Sequence, residues 1–170
     1  MFKDQTLLPA EAVRLAALGL LAEGPRKYAD LAMEIRSFIG LAVGPSLDLM
    51  GSSIELLRYE GLAAGDGETL NLSPSGQSAL AALLQSPLRA PTTDASRLVL
   101  LLKLRFLHCL GDARQAEQRE RIAESLAAER ERLDDLRRLH AGTAPALRDW
   151  LDRDIADLND RIEKFSHAGD

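Results

Sequence analysis

The stretch Ser46-Leu-Asp-Leu-Met-Gly-Ser-Ser-Ile-Glu-Leu-Leu-Arg-Tyr-Glu-Gly-Leu-Ala-Ala-Gly-Asp-Gly-Glu-Thr-Leu-Asn-Leu-Ser-Pro-Ser-Gly76 decides how the chain is read. Ser46 is suited to cap a helix start. Leu47, Met50, Ile54 and Leu57 come after it three or four residues apart, so one stripe of that helix faces a core. Gly61 stops the helix. Leu62 to Ala64 and Thr69 to Leu72 are extended in character, and Gly65-Asp66-Gly67 between them supplies the positive-φ residues of a tight hairpin. Ser73 and Pro74 read as an N-cap and a proline at the first position of another helix, which buries Leu80, Leu83 and Leu84. Helix, two-stranded ribbon, helix is the skeleton of a winged helix, with the Ser46 helix in the recognition position and the ribbon as its wing.

Upstream, Pro9 opens a helix whose Val13, Leu15, Ala16, Ala17, Leu18, Leu20 and Leu21 leave little polar surface, and such a helix sits inside. Glu23-Gly24-Pro25 ends it. A second helix starts near Tyr28, sets Leu31, Ile35, Phe38 and Ile39 at helical spacing, and ends by Gly40.

Downstream, Pro87 and Pro91 with Thr92, Thr93 and Asp94 mark a boundary, which divides the chain into a winged-helix domain (1–88), a linker (89–96) and a helical module (97–170). Leu98 to Leu110 is apolar at ten of thirteen positions, interrupted by Lys103, Arg105 and His108. That is too apolar for a helix lying on one small domain, and Leu98, Leu101, Leu102 and Phe106 are expected to reach a second chain as well. Gly111-Asp112 starts a charged helix running to about His140, in which Ile122, Leu126, Leu133 and Leu136 form a seam that Glu129 interrupts. After Pro145 a last helix sets Leu147, Leu151, Ile155, Leu158, Ile162 and Phe165 on one stripe. The two helices are expected to pair as an antiparallel hairpin. Their apolar stripes exceed what one chain covers, so Leu133, Leu136, Leu151, Ile155, Leu158 and Ile162 are assigned to a homodimer interface. The fold class expected is mainly α, an N-terminal winged helix-turn-helix with a small β-hairpin wing and a C-terminal helical dimerisation module.

Bulk properties narrow the function. A chain of 170 residues holds one buried domain, or a small domain with a helical extension. Its net charge of −5 argues against indiscriminate binding to polyanions or anionic lipid. The single cysteine, Cys109, excludes an internal disulfide framework and suits a reducing compartment. The early apolar run is broken by Pro9, Glu11 and Arg14, unlike a signal peptide, and the uncharged stretch Thr69 to Leu88 is too polar to cross a membrane. A cytoplasmic protein is expected.

Ile54-Glu-Leu-Leu-Arg-Tyr-Glu-Gly-Leu62 and Leu70-Asn-Leu-Ser-Pro-Ser-Gly-Gln-Ser-Ala-Leu80 resemble the end of the recognition helix and the wing of PadR-like and AphA-like transcriptional regulators. Leu101-Leu-Lys-Leu-Arg-Phe-Leu107, with a long charged helix after it, is similar to the C-terminal helical module of the same group, and the resemblance runs from about Pro9 to Arg138. It implies a homodimer that binds operator DNA, a double-stranded partner, through two winged helices held together by C-terminal helices. It also implies responsiveness to aromatic compounds, for which Trp150 is the aromatic candidate as an effector contact.

The chain departs from that group on the reading face. The tyrosine usual midway in the recognition helix falls at Gly51, and the often basic positions after it fall at Glu55 and Leu56. Residues 1–88 carry six basic side chains (Lys3, Arg14, Arg26, Lys27, Arg36, Arg58) and ten acidic ones, a net of −4. Phosphate contacts supply most non-specific affinity, so DNA binding must rest on a few well-placed cations. Arg26, Lys27, Arg36 and Arg58 are the candidates, joined by Ser46, Ser52 and Ser53 as neutral donors. The alternative is a winged-helix dimer retained for protein interaction after its basic surface was lost.

Catalysis finds little support. His108, His140 and His167 lie far apart, and His108 and Cys109, as helical neighbours, would point about 100° apart. Gly65-Asp-Gly67 is too short for a phosphate loop. No metal, cofactor or enzyme activity is expected.

Overall fold

The computed structural model of the chain describes residues 1, 3–44, 53–65, 68–140 and 142–166. Its elements are α1 (Pro9–Glu23), β1 (Arg26–Lys27), α2 (Tyr28–Val43), α3 (Ser53–Tyr59), β2 (Ala63–Ala64), β3 (Thr69–Leu72), α4 (Pro74–Gln85), α5 (Asp94–Arg105), a short 3-10 turn (Leu107–Cys109), α6 (Asp112–Leu139) and α7 (Pro145–Ser166). The fold is mainly α with a winged helix at its N-terminal end.

Local signals account for several of these bounds. Pro9 sits in the first turn of α1, where its missing N–H costs nothing, and the Leu8 N–H donates to the Glu11 carboxylate at 2.8 Å. Ser73 accepts from the Gly76 N–H at 2.9 Å and caps α4, while its hydroxyl donates to Gly61 O at 2.6 Å, tying the end of α3 to the start of α4. Gly61 has φ 71°, and behind it the Leu62 N–H closes on Leu57 O at 2.8 Å, so the left-handed residue that ends α3 is also what turns the chain into the wing.

Three features differ from the sequence reading. The ribbon has a third strand: β1 pairs antiparallel with β3 (Arg26↔Leu70, Lys27↔Thr69), giving the order β1-β3-β2. A strand of two residues carries no periodicity, and it exists because β3 offers it a pairing edge. Next, α2 runs through Gly40 to Val43 and ends at Gly44, φ 87°. Gly40 can adopt helical geometry, whereas Gly44 has left it. Finally, the apolar run is not one helix: α5 starts at Asp94, where Thr93 Oγ1 caps the Ser96 N–H at 3.2 Å, and it ends before Phe106, whose φ −103° and ψ 14° lead into the 3-10 turn. Ser46, the expected cap of α3, and the hairpin tip at 66–67 lie outside the described residues.

The first core is centred on α1, whose residues from Ala12 to Leu21, Arg14 apart, are buried, with Leu31, Ile35, Ile54, Leu57, Leu70 and Leu84 around it. Leu98, Leu102, Phe106, Leu107 and Leu110 join this same core. A second core is built by the α6–α7 hairpin from Ile122, Leu126, Leu133, Leu151 and Leu158, with Leu100 of α5 packed into it. Arg137 pairs with Asp152 across the hairpin at 2.5 Å, and Glu129, in the seam, is held by Arg132 at 2.7 Å. α5 therefore belongs to both cores, one face to each.

Candidate nucleic-acid interface

The order α1-β1-α2-α3-β2-β3 with sheet order β1-β3-β2 puts α2 and α3 beside a wing, the arrangement of a winged helix-turn-helix. Within α3, Ile54 and Leu57 are buried, and Glu55, Leu56, Arg58 and Tyr59 are exposed, as is Glu60 just beyond it. At Ile54 and Leu57 the inward stripe is the one the spacing implies, while Leu47 and Met50 lie outside the described residues.

Of the cations expected to meet phosphate, Lys27 at the start of α2, Arg36 on α2 and Arg58 in the last turn of α3 are exposed, and none pairs with an acid among the described residues. Arg26 serves the fold instead. Its guanidinium donates to Leu20 O at 3.2 Å and pairs with Glu23 at 3.1 Å and Glu34 at 3.3 Å. Glu34 also holds Arg105 at 3.0 Å, and that guanidinium stacks over the rings of Phe38 and Phe106 at 5.2 and 5.1 Å. This network joins α1, β1, α2 and α5, so Arg26 is occupied as a brace rather than presented as a phosphate contact. Arg14 is likewise paired with Glu60 across α1 and the end of α3. Ser46 and Ser52 lie outside the described residues, and of Ser53 only its place at the start of α3 is described.

The same elements also carry exposed apolar side chains. On α3, Tyr59 is 91% exposed beside the half-exposed Leu56, and on α2 Met33 and Leu41 stand in solvent. Sequence reasoning misses Leu41 because it ends the helix at Gly40. Tyr59 is legible, since it falls opposite Ile54 and Leu57.

The residues assigned to a partner chain divide into three groups. Leu98, Leu102 and Phe106 are at most 1% exposed inside the chain's own core, so their apolar surface is consumed without a second protomer. Leu133, Leu151 and Leu158 fill the hairpin core, with Leu136, Ile155 and Ile162 half-buried against it. Leu101 lines a groove of about 620 Å³ between α5 and the hairpin, floored by Leu100, Leu104 and Leu126 and rimmed by Arg97, Arg161 and Asp157. Trp150 stands out from α7, 62% exposed, and packs into neither core.

His108 and Cys109 lie in the 3-10 turn with Nε2 and Sγ 3.7 Å apart, so the two side chains meet although they are adjacent in sequence. Among the described residues no group of three His, Cys, Asp or Glu is placed to hold a metal, and no helix is long and apolar enough to cross a membrane.

Comparison with curated proteins finds no match for the chain. The family described as "Putative AphA-like transcriptional regulator" matches residues 2–167, which takes in the winged helix, α5 and the α6–α7 hairpin. With that span covered, the chain belongs to the AphA-like transcriptional regulator family.

Proposed function

We propose that the chain acts as a homodimer that binds operator DNA through two winged helices, each half-site held by Lys27, Arg36 and Arg58, with the groove beside Leu101 and the half-buried side of the hairpin meeting the second protomer. The observation carrying this reading is that these three cations are exposed on β1, α2 and α3, the elements a winged helix turns toward DNA, and pair with no acid among the described residues, whereas Arg14 and Arg26 are braced internally. Contacts are then few. Six phosphates per dimer at about −0.9 each give a slope of log K against log salt no steeper than roughly −5. Selection from a randomised duplex pool at ~50 mM salt tests it, with enrichment of a palindrome whose half-sites lie about one or two helical turns apart as the expected result. A pool with no enriched duplex overturns it.

A second reading, a winged helix used for protein interaction, is favoured by the exposed Tyr59, Leu56, Leu41 and Met33 among Glu55, Glu60 and Asp30. Loss of all duplex binding with the dimer intact would move the function there.

A further inference from the structure

Lys103 interrupts the most apolar run of the chain, and among the described residues it is the one charged side chain that is fully buried, 0% exposed. Its Nζ donates to Leu84 O at 3.0 Å, to Ser86 Oγ at 3.0 Å and to Ser86 O. These oxygens lie at the C-terminal end of α4, where the last carbonyls of a helix have no partner of their own and the helix dipole is negative. From α6, Arg121 donates to Gln85 O and Ser125 Oγ donates to Arg89 O at 2.8 Å. The connection leaving the winged helix is thus gripped through its main-chain oxygens by one side chain of α5 and two of α6.

We propose that Lys103 is a proton-responsive latch between the winged helix and the α6–α7 hairpin. The geometry suits an ammonium, since three N–H donors meet three acceptors, but among the described residues no carboxylate pairs with the buried charge. Glu23 of α1 and Glu34 of α2 face Arg105, Asp4 pairs with Arg89, and Glu124 of α6 lines the cleft with Arg121 and Ser125. The charged group that does act on Lys103 is Arg121, of the same sign.

Burial therefore lowers the Lys103 pKa to about 7 from its ordinary 10.5, with Arg121 adding to the effect. A lysine released to water regains the ordinary value. The sign comes from linkage: proton uptake favours the state with the higher pKa, which is the open one. Between the two values, each fall of one pH unit makes opening about tenfold easier, and below about pH 7 the effect levels off. The junction is firmest in mild alkali and loosens toward neutrality, so the angle at which each winged helix is carried becomes responsive to pH. Its consequence for half-site spacing rests on the DNA-binding reading; the latch does not.

Amide hydrogen exchange of the last turn of α4, Leu84 to Ser86, tests the latch in the full chain without DNA. After correction for intrinsic rates, the opening constant should fall about 15-fold from about pH 7 to about pH 8.5, because the closed state is itself half protonated at the lower pH. In Lys103→Met, which fills the site without a proton to exchange, it should not change. Should that variant fail to fold, NMR titration of the Lys103 amine in the unaltered chain decides, with a midpoint near neutrality expected. Equal opening constants at both pH values, the same dependence in Lys103→Met, or an amine midpoint near 10.5 would overturn the proposal.

Discussion

The ring of Phe106 lies against the backbone of α1 at Gly19, so close that a Cβ built on Gly19 would stand 2.5 Å from Phe106 Cγ and Cδ2. This contact seats the end of α5 on the central helix. Gly19→Ala should therefore destabilise the chain although alanine favours helix by up to ~1 kcal/mol, because overpacking a closed core costs about 1–3 kcal/mol. Urea unfolding measures the difference, and Phe106→Leu in the Gly19→Ala background should restore part of it. A Gly19→Ala chain as stable as the parent would contradict the contact.

The two faces of α5 predict opposite phenotypes. Leu98→Asp puts an unpaired carboxylate at a fully buried position and should unfold the first core. Leu101→Asp, at the half-buried groove, should leave helicity intact but shift light scattering from a dimer toward the 18.5 kDa monomer. If the parent chain is already a monomer at micromolar concentration, the dimer is excluded.

Neighbouring cations in β1 should separate stability from DNA binding. Arg26→Ala removes partly buried bonds to Leu20 O, Glu23 and Glu34 and is expected to cost about 1–2 kcal/mol. Lys27→Ala, at an exposed position, should stay within about 0.5 kcal/mol of the parent. Charge reversal at Lys27 or Arg58 should abolish operator binding with the melting temperature unchanged. Denaturation and binding assays on the same preparations decide it, and an Arg26→Ala chain as stable as the parent would refute the brace.

Cys109 is half-buried, and burial, then the Glu23 carboxylate, pushes its thiol above the ordinary 9.0. The folded chain keeps a proton that the unfolded chain has lost, so this group's contribution to stability falls as pH rises above about 9. At neutral pH, alkylation should be slower than that of a free cysteine, since the thiolate is the nucleophile. Glu23→Gln should move the pH dependence of alkylation downward; an unmoved profile would exclude Glu23 as a cause.

Much of the winged helix is legible because its boundaries are written locally. Pro9, Gly61 with its positive φ, and Ser73-Pro74 each punctuate the chain at the residue where an element starts or stops, and the spacing of Ile54 and Leu57 says which side of α3 turns inward. The long charged helix and the stripe of α7 are readable for the same reason.

Spacing tells that a face is buried but not by what, and this is where tertiary structure decided. The run from Leu98 to Leu110 could equally have covered a second chain; it is the glycine gap at Gly19 that draws Phe106 into the first core. β1 forms only because β3 is there to pair with it. For the candidate site the division is sharper. Lys27, Arg36 and Arg58 are identifiable by charge alone, but the occupation of Arg26 by Glu23 and Glu34, and the burial of Lys103 under carbonyls of α4, depend on partners brought together from separate elements. A charge's availability is set by its neighbours in space, and those the linear chain does not show.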